Sequence, residues 1–273
     1  MTQIPAARTT PASLSPLSTT VAGPAGGPGV LLAHGATGSV RDNYGTLIPA
    51  LTATGHRVVA PDYPGSGQTP RAKGPLELDA LADAVVAEAV AAGQETFTAI
   101  GFSMGTAVAV RAAARHPERV RGLVLTAGLA RANARARIWV DLWLRLLERD
   151  DYQGFAQART LAALSPAALD ALAPAELAAY LDPDPTLPQA GSAEQAALVK
   201  ALDTTADLPG LAVPTLVVAT TLDPLIDPSH SRYLADHIPG AEYVEIATGH
   251  LPMVERNAEW LALIGDFLAA RGL

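Results

Sequence analysis

Gly101-Phe102-Ser103-Met104-Gly105 is the stretch that decides the fold of this chain. The residues before it, 96–100, are rich in β-branched and aromatic side chains and predict a strand. The alanine-rich residues 106–115 predict a helix. A sharp turn from strand to helix strains its central residue and leaves no room for bulky neighbours, which the two glycines satisfy. The Ser103 hydroxyl is therefore expected to stand clear of the backbone.

Strand and helix patterns alternate on both sides of this turn. Alternation of this kind requires a parallel sheet with crossover helices on both faces. Ligands of such sheets bind beyond the carboxyl ends of the strands, which is where Ser103 lies. The predicted strands cover residues 29–33, 57–60, 96–100, 122–127, 214–220 and 243–247, and the helices between and after them cover 42–54, 76–92, 106–115, 228–237 and 257–270.

The alternation stops between residues 128 and 207. This stretch has no strand pattern but several helical ones, over residues 131–149, 151–164, 166–172, 174–181 and 193–205, with a proline-rich loop at 182–188. We interpret it as a helical insertion that forms a cap over the site. The chain then divides into an N-terminal arm that is partly flexible (1–28), a first part of the α/β core (29–128), the cap (129–208) and a second part of the core (209–273).

Composition excludes several classes of partner. The net charge of −8 argues against nucleic acid, which needs clustered Lys and Arg. The absence of cysteine excludes disulfides, a thiol nucleophile and thiolate metal ligands. No apolar run is long enough to span a bilayer, and the first residues make a poor signal peptide. We therefore expect a soluble cytoplasmic protein that acts on a small molecule, with no membrane or nucleic-acid partner.

A serine hydroxyl needs a general base before it can act as a nucleophile at neutral pH, and the usual base is a histidine oriented by a carboxylate. The chain has six histidines. Only His250, in Ala247-Thr248-Gly249-His250-Leu251-Pro252, follows the carboxyl end of a late strand on the expected site face. His250 is the predicted base.

Two carboxylates compete for the orienting role. Asp223 and Asp227 both lie in the turn after the strand predicted at residues 214–220. Asp223 is nearer the strand end, where an orienting acid belongs, and is the predicted acid. Asp227 precedes a proline at the start of a predicted helix, so it is also suited to capping the free amides of that helix.

Two backbone N–H groups are needed to bind the negative charge that develops on an attacked carbonyl oxygen. Met104, directly after the serine, is at a predicted helix N-terminus and supplies one of them. The loop after the first predicted strand, His34-Gly35-Ala36-Thr37-Gly38, supplies the other, and Ala36 is the residue that we predict.

With Ser103, Asp223 and His250 in this order, the chain resembles the α/β-hydrolase family. The resemblance runs from Val30 to the C-terminus, and residues 61–67 are similar to the family's Asp-x-x-Gly-x-Gly loop. It implies a mostly parallel eight-stranded sheet, a helical cap, and no cofactor or metal. The chain departs from the family pattern at Thr106, at Thr220-Thr221 and at Asp227, and its arm lacks a clear hairpin pattern.

The sequence indicates less about the substrate than about the fold. Residues 131–149 carry an apolar stripe that includes Trp139 and Trp143, suited either to packing against the core or to forming the roof of a substrate pocket. Few charges lie on the predicted site loops, which favours an uncharged ester or thioester. Two other functions stay open: a biosynthetic tailoring step on the same residues (cyclase, lyase, C–C hydrolase or perhydrolase), and non-catalytic binding of a small molecule.

Overall fold

A computed structural model describes residue 14 and residues 16–181 and 188–273. In this part of the chain a single sheet has seven strands in the order β1-β3-β2-β4-β5-β6-β7. Only β1 is antiparallel, and it pairs with β3 at one edge. The strands are β1 Thr19–Ala22, β2 Gly29–Ala33, β3 Arg57–Pro61, β4 Phe97–Phe102, β5 Val120–Thr126, β6 Thr215–Thr220 and β7 Glu242–Ile246.

Helices follow the strands as the alternation predicts. The sheet helices are α1 Val40–Tyr44, α2 Leu47–Ala53, α3 Leu78–Ala91, α4 Met104–Arg115, α10 Ser229–His237, α11 Pro252–Glu255 and α12 Asn257–Arg271. Between β5 and β6 lie the inserted helices, α5 Ala134–Glu148, α6 Tyr152–Ala163, α7 Pro166–Ala171, α8 Pro174–Leu181 and α9 Ser192–Ala201. Nearly all of the proline-rich loop predicted at 182–188 lies outside the described residues.

The structure differs from the sequence prediction at two places. Thr19–Ala22, within the arm that the sequence predicts to be partly flexible, forms β1. The described chain upstream of β2 holds one strand, so the sheet has seven strands where the family implies eight. The helix predicted over 42–54 is two helices, α1 and α2, because Pro49 has no N–H to donate to the carbonyl of Gly45.

Both faces of the sheet are buried, as a parallel sheet between helices requires. Successive residues of β2 point to opposite sides: Val30 and Leu32 belong to one core cluster, and Leu31 and Ala33 to the other. The larger cluster continues into the inserted helices through Trp143 and other buried side chains. The carboxyl ends of the parallel strands therefore open under the inserted helices.

No helix in the described ranges combines the length and the apolar character needed to cross a bilayer.

Candidate active site

Ser103 lies in the turn between β4 and α4, at φ 54° and ψ −122°. A Cβ on Gly105 would come within 1.8 Å of the carbonyl oxygen of Ala33, and one on Gly101 within 2.5 Å of the carbonyl oxygen of Gly105. These close approaches explain why both flanking positions are glycine. Thr106, which departs from the family pattern, donates its hydroxyl to the Ser103 carbonyl at 2.7 Å and so supports the turn.

Strained backbone is concentrated around this serine. Of the four non-glycine residues with positive φ in the described chain, Thr37, Ser103 and Ala127 follow the carboxyl ends of β2, β4 and β5. The Ser103 N–H donates to the Thr126 carbonyl at 3.0 Å, which ties the turn to the neighbouring strand. Strain of this kind persists only where the surroundings hold it, and it is common at functional sites.

His250 lies against Ser103. Its Nε2 is 2.9 Å from the serine Oγ, and its ring packs on Phe102 with the ring centroids 5.0 Å apart. The histidine Nδ1 is 2.7 Å from Oδ2 of Asp223. A neutral ring that donates from Nδ1 to the carboxylate presents the lone pair of Nε2 to the serine hydroxyl.

Asp223 is buried and its carboxylate is fully engaged. Oδ1 accepts the N–H groups of Leu225 and Ile226 at 2.9 and 2.8 Å. Oδ2 accepts the Thr220 hydroxyl at 2.9 Å besides its contact with His250. This threonine occupies the position at which the sequence departs from the family pattern.

Asp227 makes a different set of contacts. Its Oδ1 accepts the N–H of Ser229, the first residue of α10, at 3.0 Å. The hydrogen bonds from Ser229 hold the pKa of Asp227 below its usual value. The geometry therefore brings Asp223, and not Asp227, to His250.

The loop after β2 offers one free N–H near the serine. The Gly35 N–H donates to the side chain of Asn43 and the Thr37 N–H to the side chain of Gln195, both at 2.8 Å. The Ala36 N–H between them has no partner in the described chain, and neither has the N–H of Met104 at the start of α4. These are the two groups that the sequence predicts for binding an oxyanion.

His34 supports this loop and is not a second base. Its ring is fully buried, stacked on Tyr63 with a centroid distance of 3.8 Å. Nδ1 donates to the Gly35 carbonyl at 2.8 Å, and Nε2 accepts the Tyr63 N–H at 2.9 Å. Burial lowers the pKa of His34 from 6.5 to about 4, so the ring is neutral at pH 7. Burial also raises the pKa of the neighbouring Asp62.

A cavity of about 220 Å³ opens onto Ser103 and His250. Its other walls are mainly apolar and come from the inserted helices and from the loops after β6 and β7. They include Ala136, Val140, Trp143, Ala163, Val199, Leu225, Ile226, Leu251 and Val254. The polar residues beside it, apart from Ser103 and His250, are Thr37, Asp42, Asn43, Arg159 and Tyr180.

Only one of the two predicted pocket tryptophans lines this cavity. Trp143 does, together with Ala136 and Val140 of the same helix. Trp139 does not, and it packs against the larger core cluster instead. At about 100° of rotation per residue, Ala136, Val140 and Trp143 share a narrow arc of α5, and Trp139 lies beyond its edge. Of the two tryptophans predicted for substrate binding, only Trp143 therefore borders this cavity.

Three residues near the site were missed in the sequence. Glu255 accepts the N–H of Gly249 at 3.1 Å and both the N–H and the hydroxyl of Ser165, at 2.8 and 2.7 Å. Gln195 of α9 is fully buried and bonds to Thr37 and Ser66. Except for the contact between Gly249 and Glu255, these contacts join residues far apart in the chain, so no local pattern reveals them. Arg159 could have been found, because it falls one turn after Phe155 on the apolar face of its helix.

No group of three or more His, Cys, Asp or Glu side chains suited to a metal ion occurs among the described residues.

Comparison with known proteins agrees with this architecture. The family model of the alpha/beta hydrolase fold matches residues 28–257. The chain belongs to the α/β-hydrolase family of enzymes. Among curated relatives, it is 34% identical over 244 residues to pyrrolizixenacetamide deacetylase of Xenorhabdus hominickii, covering 89% of this chain and 91% of the relative.

Two further proteins are similar to this chain over most of its length. The chain is 31% identical over 250 residues to pimeloyl-[acyl-carrier protein] methyl ester esterase of Neisseria meningitidis serogroup C, covering 88% of this chain and 93% of the relative. The solved structure of the enol-lactonase from Burkholderia xenovorans superposes with a TM-score of 0.84 at 25% identity, covering 94% of this chain and 99% of the other. The names of all three describe hydrolytic enzymes.

Proposed function

We propose that this protein is a serine hydrolase that cleaves an ester or thioester through an acyl-enzyme on Ser103. The observation that carries the proposal is the continuous contact from Ser103 Oγ to His250 Nε2 at 2.9 Å and from His250 Nδ1 to Asp223 Oδ2 at 2.7 Å. This is the arrangement that activates a serine hydroxyl. Ser103 and His250 line a cavity, where a carbonyl group can reach them.

The first half of the reaction forms the acyl-enzyme. Ser103 Oγ attacks the carbonyl carbon while His250 Nε2 takes the hydroxyl proton and Asp223 stabilises the resulting imidazolium. The unpartnered N–H groups of Ala36 and Met104 bind the oxyanion. The bond from carbonyl carbon to the leaving oxygen or sulfur then breaks, and His250 returns the proton to the leaving group.

Water completes the cycle. A water molecule attacks the acyl carbonyl while His250 removes one of its protons. The bond from the acyl carbon to Ser103 Oγ breaks, His250 protonates the serine oxygen, and a carboxylic acid is released. No cofactor is required in either half of the reaction.

The volume of the cavity favours a short acyl group. Sites for drug-sized ligands have volumes of about 300–1,000 Å³, and this cavity has about 220 Å³. We therefore expect kcat/KM on 4-nitrophenyl esters to peak at short chains and to fall as the chain lengthens.

A second candidate is hydrolysis of an N-acetyl group by the same residues. It is favoured by the 34% identity to an enzyme named as a deacetylase. The two candidates separate on matched substrates, 4-nitrophenyl acetate and 4-nitroacetanilide, which present the same acyl group on oxygen and on nitrogen.

The decisive test is labelling with a fluorophosphonate probe followed by peptide mass analysis. Wild-type protein should be labelled once, on Ser103, and the folded Ser103→Ala protein should not be labelled. Ser229→Ala, at an exposed helix start, serves as the matched control and should be labelled like wild type. Absence of labelling in folded wild-type protein contradicts the proposal and leaves non-catalytic binding. Labelling without turnover of simple esters favours the tailoring alternative.

A further inference from the structure

Arg159 occupies an unusual place on its helix. In α6 it lies one turn after Phe155 and one turn before Ala163, both of which are buried. Leu161, two residues away, is 58% exposed. An amphipathic helix normally has the opposite arrangement, with the leucine inside and the arginine in water. Arg159 is half-buried, so the helix places a cation on the side that faces the interior of the protein.

This cation shares the cavity with the proposed nucleophile. Arg159 lines the same cavity as Ser103 and His250. The end of α6 is fixed beside the histidine, because the Ala163 carbonyl accepts the His250 N–H at 2.8 Å. Four residues of helix span about 6 Å, so the backbone of Arg159 lies about one turn from Ala163, the residue that contacts the proposed catalytic base.

Arg159 has no anionic partner within the described ranges. It makes no hydrogen bond there, and no carboxylate lies within 4.0 Å of it. Asp42 and Tyr180 are the charged or ionisable groups that face it, and Asp42 is exposed and accepts a hydrogen bond from Ser39. Burial lowers the pKa of the guanidinium.

A second donor beside the cavity also has no acceptor. The indole N–H of Trp143 is buried and has no hydrogen-bond partner. Trp143 and Arg159 both line the cavity. A cavity wall that holds an arginine without an anionic partner is suited to a ligand that brings acceptor oxygens.

We propose that Arg159 is a specificity residue that binds a carboxylate carried by the substrate away from the scissile bond. Arginine suits this role because its planar guanidinium donates two parallel hydrogen bonds to a carboxylate. The inference rests on the proposed function for the nature of the scissile bond. It also replaces the expectation of an uncharged substrate, which considered the site loops and not the inserted helices.

The test measures binding without turnover, in full-length Ser103→Ala protein, by calorimetry. The probes are matched pairs that differ in one charge: monomethyl and dimethyl esters of succinate, glutarate and adipate, and 4-acetoxybutanoate with its methyl ester. For at least one pair, we expect the charged member to bind at least tenfold more tightly. Absence of any preference for a charged member overturns the proposal, whether or not further variants fold.

The preference is then assigned to Arg159. In Ser103→Ala protein, Arg159→Gln should abolish it, Arg159→Lys should retain part of it, and Arg145→Gln should leave it unchanged because Arg145 is exposed on α5 away from the cavity. A preference that survives Arg159→Gln overturns the assignment. Lowering the pH until the carboxylate is protonated should remove the preference in the unsubstituted Arg159 protein.

Turnover separates this inference from the proposed function. If wild-type protein hydrolyses neither member of any pair but Ser103→Ala protein still prefers the charged one, the hydrolase proposal fails and the carboxylate site stands. If wild-type protein hydrolyses both members with equal kcat/KM and the binding preference is absent, the hydrolase proposal stands and the carboxylate site fails.

Discussion

At the scale of single residues, Asp223 and Asp227 differ in the hydrogen bonds that their carboxylates accept. Asp223 is bonded to His250 and to the amides of the turn after β6, whereas Asp227 is bonded to the start of α10. The sequence favours Asp223 because it is nearer the strand end, with Asp227 as the competing carboxylate in the same turn. The direction of a side chain within a turn depends on the backbone torsion angles, and the spacing of residues in the sequence does not predict them.

This difference gives the first prediction. Asp223→Asn should lower kcat on the order of 10³-fold or more, because the amide cannot stabilise the imidazolium or hold the required tautomer. Asp227→Asn should change kcat by less than about threefold, since it only weakens the cap of an exposed helix start. Steady-state kinetics on one ester compares the two variants, and a larger loss in Asp227→Asn would reverse the assignment.

At the scale of elements, the strands were easier to predict than the helix contacts. The six parallel strands were all found in the sequence, since each is a short buried run rich in β-branched or aliphatic residues. β1 was missed because its four residues lie in a stretch dominated by Pro, Gly and Ser. Pro49 explains the split between α1 and α2, and the spacing of apolar residues does not reveal its effect.

The site residues that could be predicted from the sequence are those positioned by a single strand end. Ser103 and His250 each stand next to a strand end, so local sequence identifies them. Glu255 and Gln195 bond to Ser165 and Thr37, which are distant in the chain, and these partners are brought together only by the packing of the inserted helices over the sheet. Sequence patterns do not predict contacts between residues that are so far apart in the chain.

Glu255 provides the prediction at this scale. It joins the loop that carries His250 to the junction of α6 and α7, through Gly249 and Ser165. In Glu255→Gln, an NH₂ group replaces one of the two carboxylate oxygens. This group is itself a donor, so it cannot accept the hydrogen bond of the donor that it faces. We expect kcat to fall by about tenfold with KM changing less, because the histidine loses its fixed position.

The control for this variant is Glu259→Gln, on the exposed side of α12. It removes the same charge without touching the loop and should leave both constants unchanged. Equal losses in the two variants would mean that charge, and not the contact with Gly249, is responsible.

At the scale of the whole molecule, the inserted helices and the sheet share one core. The larger hydrophobic cluster includes strand residues such as Leu31 and Leu125 together with Phe155 and Leu198 of the inserted helices. The domain boundaries at residues 128 and 208 stay a prediction, but this continuity is consistent with an insertion that does not fold alone.

Global stability should depend on pH through His34. The unfolded chain binds a proton on this residue below about pH 6.5, whereas the folded protein does so only near pH 4. The unfolded state thus holds more protons in this interval, and the free energy of unfolding falls as the pH falls from 6.5 to 4. The shift corresponds to at most about 3 kcal/mol.

Denaturant unfolding at several pH values measures this contribution. His34→Gln, whose amide oxygen can still accept the Tyr63 N–H, should show a shallower loss of stability between pH 6.5 and 4 than wild type. His237→Gln, which alters an exposed histidine, should follow the wild-type slope. Parallel slopes for His34→Gln and wild type would assign the acid sensitivity to other groups.

The positive φ of Ser103 has a consequence for how this protein can change over generations. Holding a residue with a Cβ in that conformation costs about 1 kcal/mol or more, and glycine removes the cost. Ser103→Gly should therefore abolish the proposed chemistry and raise the melting temperature, which calorimetry can measure. Selection for stability alone would favour glycine at this position, so the serine is kept at a cost in the free energy of unfolding.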